Sequence, residues 1–252
     1  MDTGMKVFDI HSYIGGSVVP GVCNNANAVR SLMLERGVTA GMAISAHART
    51  VDLVSGNRIL RAMVNQGPGL YGCITTNPNR TEASVAIMRE LMAARRMVAM
   101  VIVPPRPGDP ITRMVADEIL NAYRRYSKPL MLYTPNEASV LAALDIAKSF
   151  PMLRVVFLGM GGDDWRAAIA AAHAATNVYL ETSGPPDRAK LPAAFSVLGV
   201  HRVIFGSGCP HVDPAAALGL VHDAPLSDEA KRRVLYDNAT RLLGLDQVDT
   251  PA

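Results

Sequence analysis

The chain has 252 residues, of which 49% are hydrophobic and 19% charged, with a net charge of +3. That composition supports one large buried core and excludes a disordered chain. The basic residues are scattered, without a Lys/Arg tract, and there are five Phe and one Trp, which argues against a nucleic-acid or membrane-surface specialist. Apolar runs are short and broken by Gly, Pro or charge, so no membrane-spanning helix is expected. Residues 1–6 lack the basic and apolar pattern of a secretory signal. Cys23, Cys73 and Cys209 lie too far apart for a zinc-type pair or a disulfide framework, so a reducing, cytoplasmic setting is expected.

Short β-branched or apolar runs alternate with Ala/Leu/Arg-rich stretches along the chain. The expected strands are Lys6–Ile10, Ala40–Ser45, Leu70–Thr75, Val98–Val103, Pro129–Tyr133, Arg154–Leu158, Val178–Glu181 and Arg202–Phe205. The expected helices are Ala26–Arg36, Leu53–Asn65, Glu82–Arg96, Ile111–Arg125, Ala138–Ser149, Trp165–Ala175, Ala189–Leu198 and Pro214–Val221, followed by a last helix over Asp228–Leu243. Caps are expected at Thr81, at Asp109-Pro110 and at Ser227. In helix 138–149, Val140, Leu141, Leu144 and Ala147 form the stripe expected to face a sheet. Eight alternations in about 250 residues are the arithmetic of a (β/α)8 barrel. The fold class is therefore α/β, a single (β/α)8 TIM barrel over residues 1–247 with an extra C-terminal helix and a flexible tail over 248–252.

A barrel builds its site where strands end and loops begin. Those positions hold Asp9, His11 and Tyr13; His47 and Arg49; Thr75; Arg106; Tyr133; Gly159; Glu181 and Ser183; and Gly208, Cys209 and His211. No two of the six histidines are spaced as HxH or HExxH, so a metal motif is not visible in the local sequence.

Residues 8–15, FDIHSYIG, and 202–211, RVIFGSGCPH, resemble the first-strand and last-strand motifs of the amidohydrolase-related family, the metal-dependent hydrolase and decarboxylase branch of the amidohydrolase superfamily. Residues 236–245, YDNATRLLGL, resemble its closing helix, and the segments 155–162 and 177–184 fit its sixth and seventh strands. The resemblance implies a barrel of the amidohydrolase type and, in intact members, metal ligands at five strand-end positions. His11 matches the first. Tyr13, Tyr133, Gly159 and Gly208 stand at the other four. A catalytic zinc takes about three protein ligands, and glycine offers none.

The expectation is thus a degenerate member with no metal and no cofactor, serving as a small-ligand-binding or assembly subunit, with a small anionic ligand, an intact paralogue or a homo-oligomeric partner. The alternative is a metal-independent hydrolase, lyase or isomerase acting on a small carbonyl or carboxylate compound. In that reading His11, Tyr13, Tyr133, Glu181 and His211 are catalytic, while His47, Arg49, Arg106 and Ser183 bind substrate. The two tyrosines either donate hydrogen bonds to an oxyanion or fill volume with their hydroxyls paired.

Overall fold

Eight parallel strands pair in sequence order, β1 to β8, each next to the one before it. They are β1 (Phe8–Ile14), β2 (Ala40–Ser45), β3 (Leu70–Thr76), β4 (Met97–Ile102), β5 (Leu130–Tyr133), β6 (Val155–Leu158), β7 (Val178–Glu181) and β8 (Val203–Ile204). The computed structural model describes residues 5–16 and 25–248. Past β8 the sheet returns to β1: Ser12 bridges Cys209 in parallel, and Ile10 N donates to Phe205 O at 3.1 Å. This is the (β/α)8 barrel that the alternation implies. The expected tail, apart from Val248, and Cys23 lie outside the described residues.

Helices follow the strands: α1 (Ala26–Glu35), α2 (Ala46–Thr50), α3 (Leu53–Val64), α4 (Thr81–Leu91), α5 (Arg113–Tyr123), α6 (Glu137–Ser149), α7 (Trp165–Ala174), α8 (Lys190–Leu198), α9 (Pro214–His222), α10 (Asp228–Arg232) and α11 (Asn238–Leu243). A π-turn over Arg233–Asp237 joins α10 to α11, so the expected last helix is continuous but locally widened. None of the described helices is long and apolar enough to cross a membrane.

Alternation along each strand divides the apolar residues into two cores. Ile74, Met100, Leu132 and Phe157 face the helices. Phe8, Ile10, Met42, Ile44, Tyr71, Cys73, Ala99, Val101, Met131 and Val156 fill the barrel interior. Leu242 and Leu243 of α11 join the interior core, and Lys6, just before β1, lies over the Tyr236 ring. The closing helix therefore covers the end where strands begin and leaves the opposite end for the site.

Four local expectations shift. β1 runs to Ile14 rather than Ile10, so His11 and Tyr13 lie within the strand. α4 stops at Leu91, because the chain must turn to enter β4 although Ala93–Arg96 are good helix formers. The Asp109-Pro110 cap is replaced by Thr112, whose side chain accepts from Val115 N, and Thr81 lies inside α4, whereas Ser227 caps α10 as expected. In α6 the buried stripe is Val140, Ala143, Ile146 and Ala147, and Leu141 is 55% exposed. The small alanines let the helix approach the sheet on their side, which rotates the leucines outward.

Candidate active site

The first strand carries an irregularity that builds the site. Asp9 pairs with Gly41 and Ser12 with Ala43, so β1 spends one residue more than β2 over this interval. Such a bulge re-aims side chains. Here it brings both His11 and Tyr13 to the barrel mouth, where β7 and β5 supply their partners.

His11 is engaged through both ring nitrogens. Nδ1 lies 3.1 Å from Glu181 Oε2 and 3.1 Å from Ser183 Oγ, and Nε2 lies 2.6 Å from the Tyr13 hydroxyl. The Tyr13 hydroxyl in turn donates to the Tyr133 hydroxyl at 3.2 Å. Glu181, fully buried, accepts at Oε1 from Ser183 N (2.6 Å) and at Oε2 from Ser183 Oγ (2.6 Å) and Gly159 N (2.9 Å). Gly206 makes room for this carboxylate, since a Cβ there would lie 2.2 Å from Glu181 Oε1.

These contacts fix the charges. Burial alone favours neutral Glu181, but His11 and the bonds from Ser183 and Gly159 outweigh it and hold the carboxyl below its ordinary range. Burial likewise opposes charge on His11, yet Tyr13 and Glu181 raise its pKa to about 10. The pair is an imidazolium and a carboxylate at neutral pH. The Arg49 guanidinium lies over the rings of Tyr13 (4.9 Å) and Tyr133 (4.8 Å), a cation–π arrangement shared by two phenols. Among the described residues Arg49 has no ion-pair partner. His211 is exposed at the rim with its ring 5.2 Å from that of Tyr13; desolvation, then Arg49 and His11, lower its pKa.

Most of the site residues expected from the sequence thus converge: His11, Tyr13, Tyr133, Glu181, Ser183, Arg49 and His211. Two stand apart. His47 sits on α2, a helix the sequence pattern did not reveal, with Nε2 3.4 Å from Ser55 Oγ of α3. Arg106 is exposed in the loop after β4.

Two further groups belong to the neighbourhood. Lys190 is 2% exposed and donates from Nζ to Ser183 O at 2.8 Å; burial lowers its pKa. Its place at the start of a helix gave no sign of this burial. Asp9, fully buried, accepts from His11 N (2.9 Å), Ser207 N (3.0 Å) and the Ser207 hydroxyl, tying β1 to the segment after β8. Burial pushes its carboxyl up to about 6 against the opposing pull of these bonds.

Among the described residues, no group of three or more His, Cys, Asp or Glu is placed to hold a metal ion. Gly159 and Gly208 have φ of +79° and +76°, and a Cβ built on either meets no described atom within 4 Å.

The amidohydrolase family model matches residues 32–245. No curated protein matches the chain. Among solved structures, 5-carboxyvanillate decarboxylase from Sphingomonas paucimobilis is 14% identical with a TM-score of 0.74, covering 95% of this chain and 99% of that one. A dihydroxybenzoic acid decarboxylase from Polaromonas, with bound manganese and the inhibitor 2-nitroresorcinol, is 15% identical with a TM-score of 0.74, covering 97% and 98%. The 4-oxalomesaconate hydratase of Rhodopseudomonas palustris is 15% identical with a TM-score of 0.71, covering 95% and 96%. At these identities the likeness to solved structures is one of fold. The family match spans most of the chain, and the chain belongs to the amidohydrolase family.

Proposed function

We propose that the barrel mouth binds a small carboxylate compound without a catalytic metal. The observation that carries this is Arg49, a guanidinium held over two phenol rings with no ion-pair partner among the described residues. Its planar fork suits a carboxylate. The local charge balance points the same way: Glu181 is matched by His11, which leaves Arg49 and the buried Lys190 in excess. Asp9, with its pKa at about 6, is mostly ionised at neutral pH and offsets one of these two charges, which leaves one positive charge in excess. The relatives named above act, by their names, on carboxylate compounds, which supports the same class.

The family implies a metal, and the donors present do not fit one. His11 has both nitrogens committed, and the remaining positions offer two phenols and two glycines. A phenol ionises near pKa 10 and is a poor ligand at neutral pH. Arg49 places a fixed positive charge against both rings.

The hydrogen-bond chain favours a second reading, turnover by acid–base chemistry. Glu181 orients His11, His11 Nε2–H donates to the Tyr13 oxygen, and Tyr13 donates to Tyr133. The Tyr133 proton is then free to reach a carbonyl or carboxylate oxygen, and the chain can resupply it.

Isothermal titration with benzoate and succinate tests the binding reading, alongside elemental analysis of the same protein. The expected result is binding by the metal-free protein and at least about a tenfold loss in Arg49→Gln, the value of one charge-assisted contact. Stoichiometric zinc, manganese or iron that is required for binding would overturn it.

A further inference from the structure

One buried polar atom near this site is left unpaired. Thr75 on β3 is fully buried, and among the described residues its Oγ1 has no hydrogen-bond partner. Buried hydroxyls are nearly always satisfied, and an unsatisfied one lowers stability. Its neighbour shows that pairing is possible on this strand, since Thr76 Oγ1 donates to Val101 O at 3.1 Å.

The backbone around Thr75 is held firmly. The buried Asn57 side chain accepts from Thr75 N at 2.9 Å and donates to Thr75 O at 2.8 Å. The hydroxyl therefore cannot reach a partner by a shift of the strand without breaking that clamp.

Its direction follows from alternation. Tyr71 and Cys73 on the same strand belong to the interior core, so Thr75 also faces the barrel interior. Its height follows from the stagger of an eight-stranded barrel, about one residue per strand. Tyr13 is in register with Ile44, and Ile44 with Cys73. Two strands on from Tyr13, the level residue is thus two positions past Cys73, which is Thr75. Layers in such barrels draw on alternate strands, here β1, β3 and β5 with Tyr13, Thr75 and Tyr133.

We infer that Thr75 Oγ1 is a ligand-binding hydroxyl on the floor of the strand-end site, donating to an oxygen of the bound carboxylate compound. This rests on the carboxylate reading above and adds a specificity-determining contact to it. The ligand's oxygen supplies the acceptor that the described residues do not, and Arg49 supplies the charge.

The test compares wild type, Thr75→Val and Thr75→Ser by isothermal titration with benzoate and succinate, with the melting temperature of each free protein. Valine keeps the shape and removes the hydroxyl. The expected result is about a tenfold weaker affinity in Thr75→Val, recovery in Thr75→Ser, and no fall in melting temperature in the valine variant. Unchanged affinity in Thr75→Val, with wild type binding, would overturn this inference and leave the carboxylate reading standing. A lower melting temperature in Thr75→Val that serine restores would overturn it too, by showing a partner within the protein. Failure of wild type to bind either probe would overturn the carboxylate reading and this inference together.

Discussion

His11 Nε2 and the Tyr13 hydroxyl, two residues apart on one strand, meet at 2.6 Å. The β1 bulge makes this possible, and the distance is that of a charge-assisted bond. The imidazolium is held from the other side by Glu181, so Tyr13 has a protonated neighbour that favours its ionised form, and its pKa falls below the ordinary phenol value despite burial. The two residues act as one acid–base unit rather than as a histidine beside a filler.

Replacing Tyr13 by phenylalanine removes half of that unit. His11 then loses the largest influence on its pKa after burial, so its value should drop from about 10 towards the ordinary imidazole value of 6.5, with Glu181 still holding it up. Nε2 is left buried without its partner, which costs about 1–3 kcal/mol. Nuclear magnetic resonance of labelled imidazole across pH 5–11 reads the first effect, and denaturant unfolding reads the second. A His11 pKa unmoved by the substitution would contradict the proposed coupling.

Glu181→Gln tests the opposite side of the same histidine. Removing one member of a buried ion pair costs about 3–5 kcal/mol, and the amide cannot accept all the bonds that now come from Ser183 N, Ser183 Oγ, Gly159 N and His11. Unfolding at pH 7 should show a loss within that range. The loss should shrink as pH rises, because His11 in the variant sheds its proton more easily. A loss below about 1 kcal/mol would mean that the pair contributes little.

Much of the architecture and of this site could be read before any coordinates. Ala40–Ser45 and Val178–Glu181 fall where the β-branched runs place them, and strand ends converge by the geometry of a barrel, so naming them collects His11, Tyr133 and Glu181 without contact information. What escaped is what tertiary packing decides. Lys190 falls in the expected helix Ala189–Leu198, and nothing in that pattern marks a lysine whose ammonium is buried on the Ser183 carbonyl. His47 follows a strand as a site residue would, but α2 carries it to Ser55. The Thr75 hydroxyl, unpaired among the described residues, has no signal in the sequence, because only the positions of its neighbours reveal it.

Asp9 gives a pH dependence of unusual sign for a carboxylate. Its pKa rises from 3.8 to about 6 on folding, so the folded state binds the proton more tightly than the unfolded state. The stabilising contribution is fully present below about 3.8 and is lost as pH rises through about 6. The shift corresponds to a contribution on the order of 3 kcal/mol. In Asp9→Asn the amide oxygen can still accept from His11 N and Ser207 N, so the variant should fold with this step between pH 4 and 6 removed. Urea unfolding at half-unit pH intervals, wild type against variant, checks it; parallel curves would rule the assignment out.

Restoring the family's ligand residues should not restore a metal. The combined variant Tyr13→His, Gly159→His and Gly208→Asp supplies three of the four missing donors, and space is not the obstacle, since a Cβ at either glycine meets no described atom within 4 Å. The backbone is the obstacle. Gly159 and Gly208 have φ of +79° and +76°, a region where a side chain costs about 1–2 kcal/mol per residue. Gly159 N also bonds Glu181 Oε2, and Gly208 N bonds His11 O at 2.7 Å, so relaxing either backbone disturbs the histidine it is meant to help. Arg49 adds repulsion, as its guanidinium already lies over the rings at positions 13 and 133. The triple variant should therefore be destabilised and should hold well under one zinc or manganese per chain by mass spectrometry after dialysis against the metal. Adding Arg49→Ala should raise metal uptake above that of the triple variant, because it removes the competing cation while leaving the donors in place. Stoichiometric metal in the triple variant alone would show that neither the backbone nor Arg49 stands in the way.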